Sequence, residues 1–160
     1  MRLALFQPDI PQNVGACMRL GACFGVPLEI VQPTAFPLDD RSLKRAALDY
    51  GPLGTVVVRA SWAEFLAAPE RAEGRLVLFT TRGATPLHAF AFGPGDTLLF
   101  GRESAGAPDE VHAAADARVV IPIRPETRSL NLAVSVGIAL WEALRSTGGV
   151  PGPERPDVDA

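Results

Sequence analysis

The stretch RPETRSLNLAVSVGIALWEALRS, from Arg124 to Ser146, decides how this chain folds. It opens with a charged turn and becomes the longest continuously apolar helical segment in the sequence. Polar side chains at the start of a buried helix indicate either a helix cap or a binding site. Ser129 and Asn131 stand at this transition, with Ser129 expected at the helix start, so their roles decide between the two interpretations.

The predicted last helix is apolar on two opposite faces, with a narrow polar stripe around Ser135 and Glu142. Two apolar faces predict burial on two sides, one of which is the sheet of the same chain. A second subunit accounts for the other side, although a helix sandwiched within one chain gives the same pattern. The two faces are Leu132, Val136, Ala139 and Ala143 with Leu140 at the edge, and Val134, Ile138 and Trp141.

Upstream of this segment, short apolar runs alternate with segments of helical periodicity. The runs are unbroken rather than alternating in polarity, which is typical of a parallel sheet covered by helices on both faces. Asn13 is expected to cap the first helix and Gly25 to end it, while Ser61 is expected to cap a later one. We therefore predict an α/β fold with about six mostly parallel strands. The predicted strands are Arg2–Phe6, Leu28–Val31, Thr55–Arg59, Arg75–Thr81, Asp96–Gly101 and Arg118–Ile123.

The 160 residues fit one domain, and 48% hydrophobic residues with a mean hydropathy of +0.17 favour a globular protein. We expect the domain to span residues 1–147 and the Gly- and Pro-rich acidic segment 148–160 to be disordered. No apolar run is long enough to cross a bilayer, and no leader is evident, which favours the cytoplasm. The net charge of −3 argues against nucleic acid, but the body without this tail is near neutral.

The cysteines and histidines predict no metal site. Cys17 and Cys23 fit no metal or redox motif, and we expect two reduced thiols in the core. His88 and His112 are too few and too far apart in the sequence for a metal cluster.

Common nucleotide and hydrolase fingerprints are missing, since the chain has no G-x-G-x-x-G after its first strand, no P-loop and no G-x-S-x-G. Polar residues gather instead in three blocks near strand ends, where open α/β sheets bind ligands. The second and third blocks are rich in Gly and Pro, which suits a pocket built from backbone groups. The blocks are NVGACMR (13–19), FGRESAGAP (100–108) and IPIRPETRSLN (121–131).

These three blocks resemble, in order and spacing, the motifs of the SPOUT class of RNA methyltransferases, which carry a deep trefoil knot near the C-terminus. The resemblance extends to about Thr147 and is strongest to the branch that methylates the 2′-oxygen of the tRNA wobble nucleotide. It implies S-adenosylmethionine as cofactor, tRNA as substrate and a homodimer, and the two apolar faces make the C-terminal helix the candidate dimer contact. We expect no membrane or DNA partner. The segments that carry it are PDIPQNVG, DDRSLKRAALDYG, LFTTRG, FGRESAG and RSLNLAVSV.

The resemblance also implies roles for individual residues. Some polar residues of the three blocks match positions used for catalysis, others match the cofactor pocket, and several basic residues are expected to contact RNA. The implied catalytic residues are Asn13, Arg19, Glu103, Ser129 and Asn131; the implied cofactor-binding residues are Phe79, Gly101, Ile121 and Ser129; the expected RNA contacts are Arg41, Lys44, Arg45 and Arg128.

Simpler interpretations remain open for several of these residues. Asn13 can be a plain helix cap, and Glu103 can cap the helix that follows Pro108. Arg19 can be a solvated helix residue, and Arg41 with its basic neighbours can be an ordinary wet face. Trp141 is more typical of a core than of a platform for a base.

Two positions depart from the implied family pattern, Ala105 where arginine is frequent and Ala16 where asparagine is frequent. Neither removes a residue expected to be catalytic. The leading hypothesis is a wobble-nucleotide tRNA 2′-O-methyltransferase. The alternatives are the same chemistry on another tRNA position or on rRNA, and a non-catalytic α/β protein that binds RNA or nucleotides.

Overall fold

The computed structural model describes residues 1–38, 55–82 and 85–152. Strands and helices alternate along these residues, as the sequence predicts. The predicted helix Arg41–Tyr50, with the basic residues at 41, 44 and 45, lies outside the described residues, as does most of the 148–160 tail. The strands are β1 (Arg2–Phe6), β2 (Leu28–Val31), β3 (Val56–Arg59), β4 (Leu76–Phe79), β5 (Thr85–Pro86), β6 (Thr97–Phe100) and β7 (Ala117–Val120); the helices are α1 (Pro11–Phe24), α2 (Trp62–Ala67), α3 (Asp109–Ala114) and α4 (Leu132–Thr147).

The seven strands form one sheet in the order β3-β2-β1-β6-β4-β7-β5, and every pair is parallel. The predicted α/β fold with a parallel sheet is confirmed. The strand that the sequence did not reveal is β5, which is only two residues long and ends in a proline. So short a segment has no periodicity to read.

The register of the central strands places their carboxyl ends side by side. Phe79 at the end of β4 pairs with Phe100 at the end of β6 and, on its other side, with Val119 of β7. Leu5 near the end of β1 also pairs with Phe100. The loops that leave β1, β4, β6 and β7 therefore emerge at one edge of the sheet.

Helices cover both faces of the sheet, which explains why the strands are apolar throughout. On β1, Leu3 and Leu5 pack in the cluster beneath α1 and α4, whereas Ala4 and Phe6 pack in the cluster that contains Phe65 of α2. Successive strand residues point to opposite faces, so each one meets a helix layer.

Two of the three predicted helix caps are correct. Gly25 ends α1 in the left-handed conformation with φ 66°, and the Ser61 hydroxyl accepts the amide of Glu64 at 3.1 Å. The prediction that Asn13 caps α1 is wrong, because the helix begins two residues earlier at Pro11. Proline suits the first helical position, since it lacks the amide that would be unsatisfied there.

Helix α4 begins one residue after Asn131, whose side-chain oxygen accepts the amides of Ala133 and Val134 at 2.9 and 3.2 Å. The prediction that Ser129 stands at the helix start is therefore wrong, because the residue that satisfies the free amides is Asn131. Gly148 ends the helix with φ 71°.

One face of α4 is buried against the sheet, and the other is exposed. Val134, Ile138 and Trp141 remain 49%, 40% and 48% exposed. The alternative in which this helix is sandwiched within its own chain is thus wrong for the described residues, and Trp141 is not a core residue. Trp141 instead meets Phe24 of α1 edge-on, with ring centroids 6.1 Å apart.

The two cysteines differ in environment. Cys17 is buried and Cys23 is exposed, and both are free thiols. The expectation that both lie in the core is wrong for Cys23, because six residues along a helix place it on the outer face of α1. None of the described helices is long and apolar enough to cross a membrane.

Candidate active site

A cavity of about 580 Å³ lies at the carboxyl edge of the sheet, between the loops that follow β4, β6 and β7. Its volume falls within the range of small-molecule binding sites. The three polar blocks singled out in the sequence contribute to it, through Asn13, the 100–107 loop and residues 120–132. The edge of an open parallel sheet is where such folds bind ligands.

All four residues predicted to bind a cofactor line this cavity: Phe79, Gly101, Ile121 and Ser129. Phe79 stacks on Phe100 with ring centroids 4.8 Å apart, which gives the cavity a rigid aromatic floor. The 101–107 loop forms another wall, to which it contributes the small residues Gly101, Ala105, Gly106 and Ala107. A cavity that combines an apolar surface with polar groups fits a flat heterocycle with a polar tail.

Gly101 makes this wall possible, since a side chain there has no room. An added Cβ would lie 2.5 Å from the Gly106 carbonyl carbon and from the Ala107 nitrogen. The crowding follows from a tight hairpin in which the Arg102 amide donates to the Gly106 carbonyl at 3.1 Å and the Gly106 amide donates to the Arg102 carbonyl at 2.9 Å. Gly106 adopts φ 68°, which closes the turn.

Three predicted catalytic residues form one hydrogen-bonded chain across the cavity. The Asn131 amide Nδ2 donates to Oδ1 of Asn13 at 2.9 Å, and Nδ2 of Asn13 donates to Oε1 of Glu103 at 2.9 Å. The second Glu103 oxygen accepts the backbone amide of Asp9 at 2.8 Å. Each amide is thereby fixed in orientation, and the start of α1, the β6 loop and the start of α4 are tied together.

These hydrogen bonds exclude the simpler interpretations of two residues as helix caps. Asn13 is 7% exposed and hydrogen-bonded on both sides of its amide, so it is not a helix cap. Glu103 does not cap α3, which begins after Pro108 without any side-chain cap. Asn131 alone combines a capping bond with a bond into the cavity, because its oxygen and nitrogen point to different partners.

Arg19 does not lie with the other predicted catalytic residues. It is exposed on α1 and is absent from the described residues that line the cavity. Six residues of helix separate it from Asn13, a rotation of roughly 240° about the axis, so the two cannot face the same side. Helical spacing alone could have revealed this separation. Of the residues predicted to contact RNA, Arg128 lines the cavity and the other three lie outside the described residues.

Sequence reasoning missed the contacts that hold the β6 loop. Asp9 accepts the Ser104 amide at 2.9 Å and the Ser104 hydroxyl at 2.6 Å. Those hydrogen bonds lower the pKa of Asp9, so the carboxylate stays charged at neutral pH. The sequence signal that could have revealed these contacts is an acceptor, Asp9, shortly after β1 and a donor, Ser104, shortly after the neighbouring strand β6.

The nearest thiol is not available for chemistry at this site. Burial, with a smaller contribution from the Glu103 carboxylate, raises the pKa of Cys17 to about 12. The side chain is therefore a protonated thiol at neutral pH rather than a nucleophile. No group of three or more His, Cys, Asp or Glu residues that could hold a metal ion occurs in ranges 1–38, 55–82 and 85–152.

The hydrogen-bonded chain predicts a stability change for Glu103→Gln. Both carboxylate oxygens accept a hydrogen bond, so the amide of glutamine must direct its NH₂ group at one of the two donors. We expect the free energy of unfolding to fall by about 1–3 kcal/mol, measured by urea denaturation. Glu110→Gln, at an exposed position of α3, is the matched control. Equal changes in the free energy of unfolding for the two variants would show that these hydrogen bonds contribute nothing to stability.

A family model described as the SpoU rRNA Methylase family matches residues 1–141. Among named relatives, a protein from Beijerinckia indica subsp. indica is 50% identical over 148 residues, covering 92% of each chain. One from Ancylobacter novellus is 51% identical over 152 residues, covering 93% of this chain and 94% of its own. Both are named tRNA (cytidine(34)-2′-O)-methyltransferase.

Solved structures give a consistent picture. One described by the words "structural insights into the 2-OH methylation of C/U34 on tRNA" superimposes with a TM-score of 0.83 at 44% identity, covering 91% of this chain and 94% of that one. The SpoU methyltransferase AviRb from Streptomyces viridochromogenes, in complex with AdoMet, gives 0.80 at 26% identity, covering 91% of this chain and 59% of that one.

Proposed function

The chain belongs to the SpoU rRNA methylase family, and we propose that it transfers a methyl group from S-adenosylmethionine to the 2′-oxygen of nucleotide 34, the wobble nucleotide of tRNA. The observation that carries the proposal is the hydrogen-bonded set of Asn13, Glu103 and Asn131 at the edge of a cavity of cofactor size. The chain is also about half identical to two proteins named tRNA (cytidine(34)-2′-O)-methyltransferase.

The residues around the cavity fit S-adenosylmethionine. Phe79 and Ile121 offer an apolar surface to an adenine ring, while Gly101 lets the β6 loop approach as bare backbone. Ser129 offers a hydroxyl two residues before the cap of α4. When bound, the cofactor supplies an electrophilic methyl group on a sulfonium. The protein's task is then to position an RNA hydroxyl in line with it.

The hydrogen-bonded chain would hold the substrate side of the site. Asn13 and Asn131 are fixed by each other and by Glu103, so their orientation needs no rearrangement when a ribose arrives. A site that contacts the 2′-hydroxyl also selects RNA over DNA. Arg128, at the mouth of the cavity, is placed to meet a phosphate of the same nucleotide.

Arg19 would stabilise the 2′-oxygen as it bonds the methyl carbon, while the methyl–sulfur bond breaks to leave a neutral thioether and the hydroxyl proton passes to solvent water. A guanidinium scarcely deprotonates in proteins, so we assign it a stabilising charge rather than the role of general base. Since Arg19 is absent from the cavity of its own chain, it must reach a site from a second copy. The proposal therefore includes a homodimer whose two sites each combine loops from one copy with Arg19 from the other.

The exposed faces of α1 and α4 support this dimer. The two helices pack side by side, since a Cβ on Gly137 would lie 3.7 Å from Leu20 and Trp141 meets Phe24. The exposed apolar residues of α4 therefore adjoin the exposed face of α1 that carries Arg19. A second copy that covers the exposed apolar residues of α4 therefore also covers the face of α1 that carries Arg19. Such a surface can form a self-complementary contact about a twofold axis.

The dimer predicts a specific effect of Ile138→Glu. A carboxylate placed among the exposed apolar residues of α4 would be desolvated in the contact, so we expect a monomer by light scattering and loss of methyl transfer. Leu66→Glu is the matched control, because Leu66 is similarly exposed at 41% but lies on α2, across the sheet. A wild-type monomer at micromolar concentration would remove the dimer from the proposal.

Three further expectations belong to the same proposal. The basic residues Arg41, Lys44 and Arg45 would add RNA contacts, the chain would act in the cytoplasm where tRNA is found, and the C-terminal loops would form the trefoil knot of the SPOUT class. The main alternative is the same methyl transfer to another tRNA position or to rRNA. The AdoMet-bound rRNA methyltransferase from Sinorhizobium meliloti is 27% identical with a TM-score of 0.79, covering 90% of this chain and 55% of that one.

Two measurements test the function. Calorimetry with S-adenosylmethionine should show one site for each chain, and absence of binding would favour a non-catalytic RNA-binding protein. Purified protein with tritiated S-adenosylmethionine should then label bulk tRNA and leave rRNA unlabelled. Label in rRNA alone would place the rival ahead.

A further inference from the structure

A second cavity adjoins the proposed active site on the α3 face of the sheet. It is lined by Arg82, Asp109, His112, Ala113, Ala115 and Arg118, and we call it the Arg82–Arg118 groove. Arg82 and His112 line both cavities, so the groove opens directly beside the site of methyl transfer. None of its charged residues belongs to the three motif blocks, and the proposed chemistry uses none of them.

The groove presents two guanidinium groups around a buried imidazole. Arg118 belongs to β7, where it pairs in register with Leu78 of β4, and its side chain makes no hydrogen bond or ion pair within the described residues. Arg82 follows the end of β4 and is 64% exposed. Burial lowers the pKa of His112 most, and the charges of Arg82 and Arg118 lower it further.

His112 has an unmet hydrogen bond in the protein alone. The residue is 9% exposed, and its Nε2 atom is buried with no partner among the described residues. A buried polar atom without a partner costs about 1–3 kcal/mol, so a ligand that supplies the missing bond recovers that energy. An oxyanion drawn in by the two arginines has the acceptor atoms to do so.

Asp109 is the one acidic residue that lines the groove, and its carboxylate does not prevent an anion from binding there. Its carboxylate lies 3.0 Å from Arg82, but its side chain is 88% exposed. Such solvent-exposed ion pairs are worth about 0–1 kcal/mol, so Arg82 can exchange Asp109 for a better anion at little cost. The groove keeps one net positive charge from its arginines and aspartate, before any charge on His112.

We propose that the Arg82–Arg118 groove binds a backbone phosphate of the substrate RNA next to the methylated nucleotide, through the two guanidiniums and His112 Nε2. This inference rests on the proposed function, because it takes RNA to be the molecule in the adjoining cavity. A phosphodiester fits the groove's chemistry, since arginine forms paired hydrogen bonds with phosphate oxygens. Such a contact fixes the register of the strand without reading its sequence.

The test is the salt dependence of tRNA binding by full-length variants. Removing one bond to a phosphate should reduce the slope of log affinity against log salt by about 0.7–0.9. Arg118→Gln should show that reduction, together with a roughly tenfold rise in KM for tRNA at low salt, while the affinity for S-adenosylmethionine stays within twofold. Arg118→Lys keeps the charge and should restore most of the slope.

Arg2→Gln is the matched control, because it removes the same charge at the amino edge of the sheet, where Arg2 pairs with Glu73. Equal slopes for Arg118→Gln, Arg2→Gln and wild type would overturn the inference, as would an equal reduction in both variants. Loss of cofactor binding in Arg118→Gln would also overturn it. A wild-type protein that neither binds S-adenosylmethionine nor methylates tRNA would instead refute the proposed function.

His112 is tested by a pair of variants in the same binding assay. His112→Gln keeps a hydrogen-bond donor and should bind tRNA within threefold of wild type, whereas His112→Phe should lose affinity several-fold. If His112→Phe does not fold, the Arg118 variants still test whether the groove binds a phosphate. Equal binding by the two histidine variants, with both folded, would remove Nε2 from the site.

Discussion

Replacing Arg19 with alanine is expected to lower the turnover number by about 10²–10³-fold. The substitution removes the positive charge assigned to the developing alkoxide, a charge that no other residue is assigned to supply. The affinity for S-adenosylmethionine should stay within a few-fold, because Arg19 is absent from the cavity that would hold it. The measurement is single-turnover methyl transfer alongside calorimetry.

Arg2→Ala is the control for this variant. Arg2 lies at the amino edge of the sheet, away from the proposed site and dimer contact, and its ion pair is with Glu73 at 3.5 Å. Removing it should change turnover less than threefold. Normal turnover of the Arg19 variant would refute the role assigned to Arg19 and, with it, the reason for placing a second copy at the site.

Gly101→Ala is expected to abolish cofactor binding, the second large effect. The new Cβ would stand 2.5 Å from backbone atoms of Gly106 and Ala107, and backbone cannot move aside as the end of a long side chain can. The hairpin at 102–106 must open, which displaces the β6 wall of the cavity. Calorimetry should show at least a hundredfold weaker binding of S-adenosylmethionine, with the sheet intact by circular dichroism.

The same substitution at Gly137 provides the comparison. There the added Cβ would make an ordinary contact of 3.7 Å with Leu20 inside a helix. Alanine favours the helix interior by about 0.5–1 kcal/mol, so Gly137→Ala should bind the cofactor normally and melt no lower than wild type. Unchanged cofactor binding by Gly101→Ala would place the cofactor somewhere other than this cavity.

The two inactive variants together test how the site is assembled. In a mixed dimer, the loops of the Arg19→Ala chain meet Arg19 of the Gly101→Ala chain, which restores one complete site. Random mixing of equal amounts should recover about a quarter of the wild-type activity in a twofold dimer. No recovery would mean that each Arg19 serves its own chain.

Much of the fold was predictable because its signals are local. Unbroken apolar strands predicted a parallel sheet with two covered faces, and the glycine at 25 and serine at 61 marked helix ends by their own chemistry. The two-faced pattern of the last helix predicted a second apolar face, and it left open whether a second subunit or the same chain covers that face. That face is present at Ile138 and Trp141.

Most of the predicted site residues line one cavity, but the hydrogen bonds that connect them could not be predicted. Asn13 and Asn131 are 118 positions apart, and Asn13 and Glu103 are 90 apart, so no window of sequence could show that they bond. The capping roles were misassigned for the same reason. Asn13 resembles a cap until its distant partners are known, and Ser129 resembles the helix start until the bonds of Asn131 are seen.

Transfer of a methyl group to the 2′-oxygen of tRNA nucleotide 34 is the central claim, and one substrate tests it directly. A tRNA carrying a 2′-deoxynucleotide at position 34 alone keeps the shape and charge of the anticodon loop but lacks the accepting hydroxyl. With tritiated S-adenosylmethionine, the unmodified tRNA should be labelled and the deoxy-34 tRNA should take up no label. Equal labelling of the two tRNAs would contradict the claim.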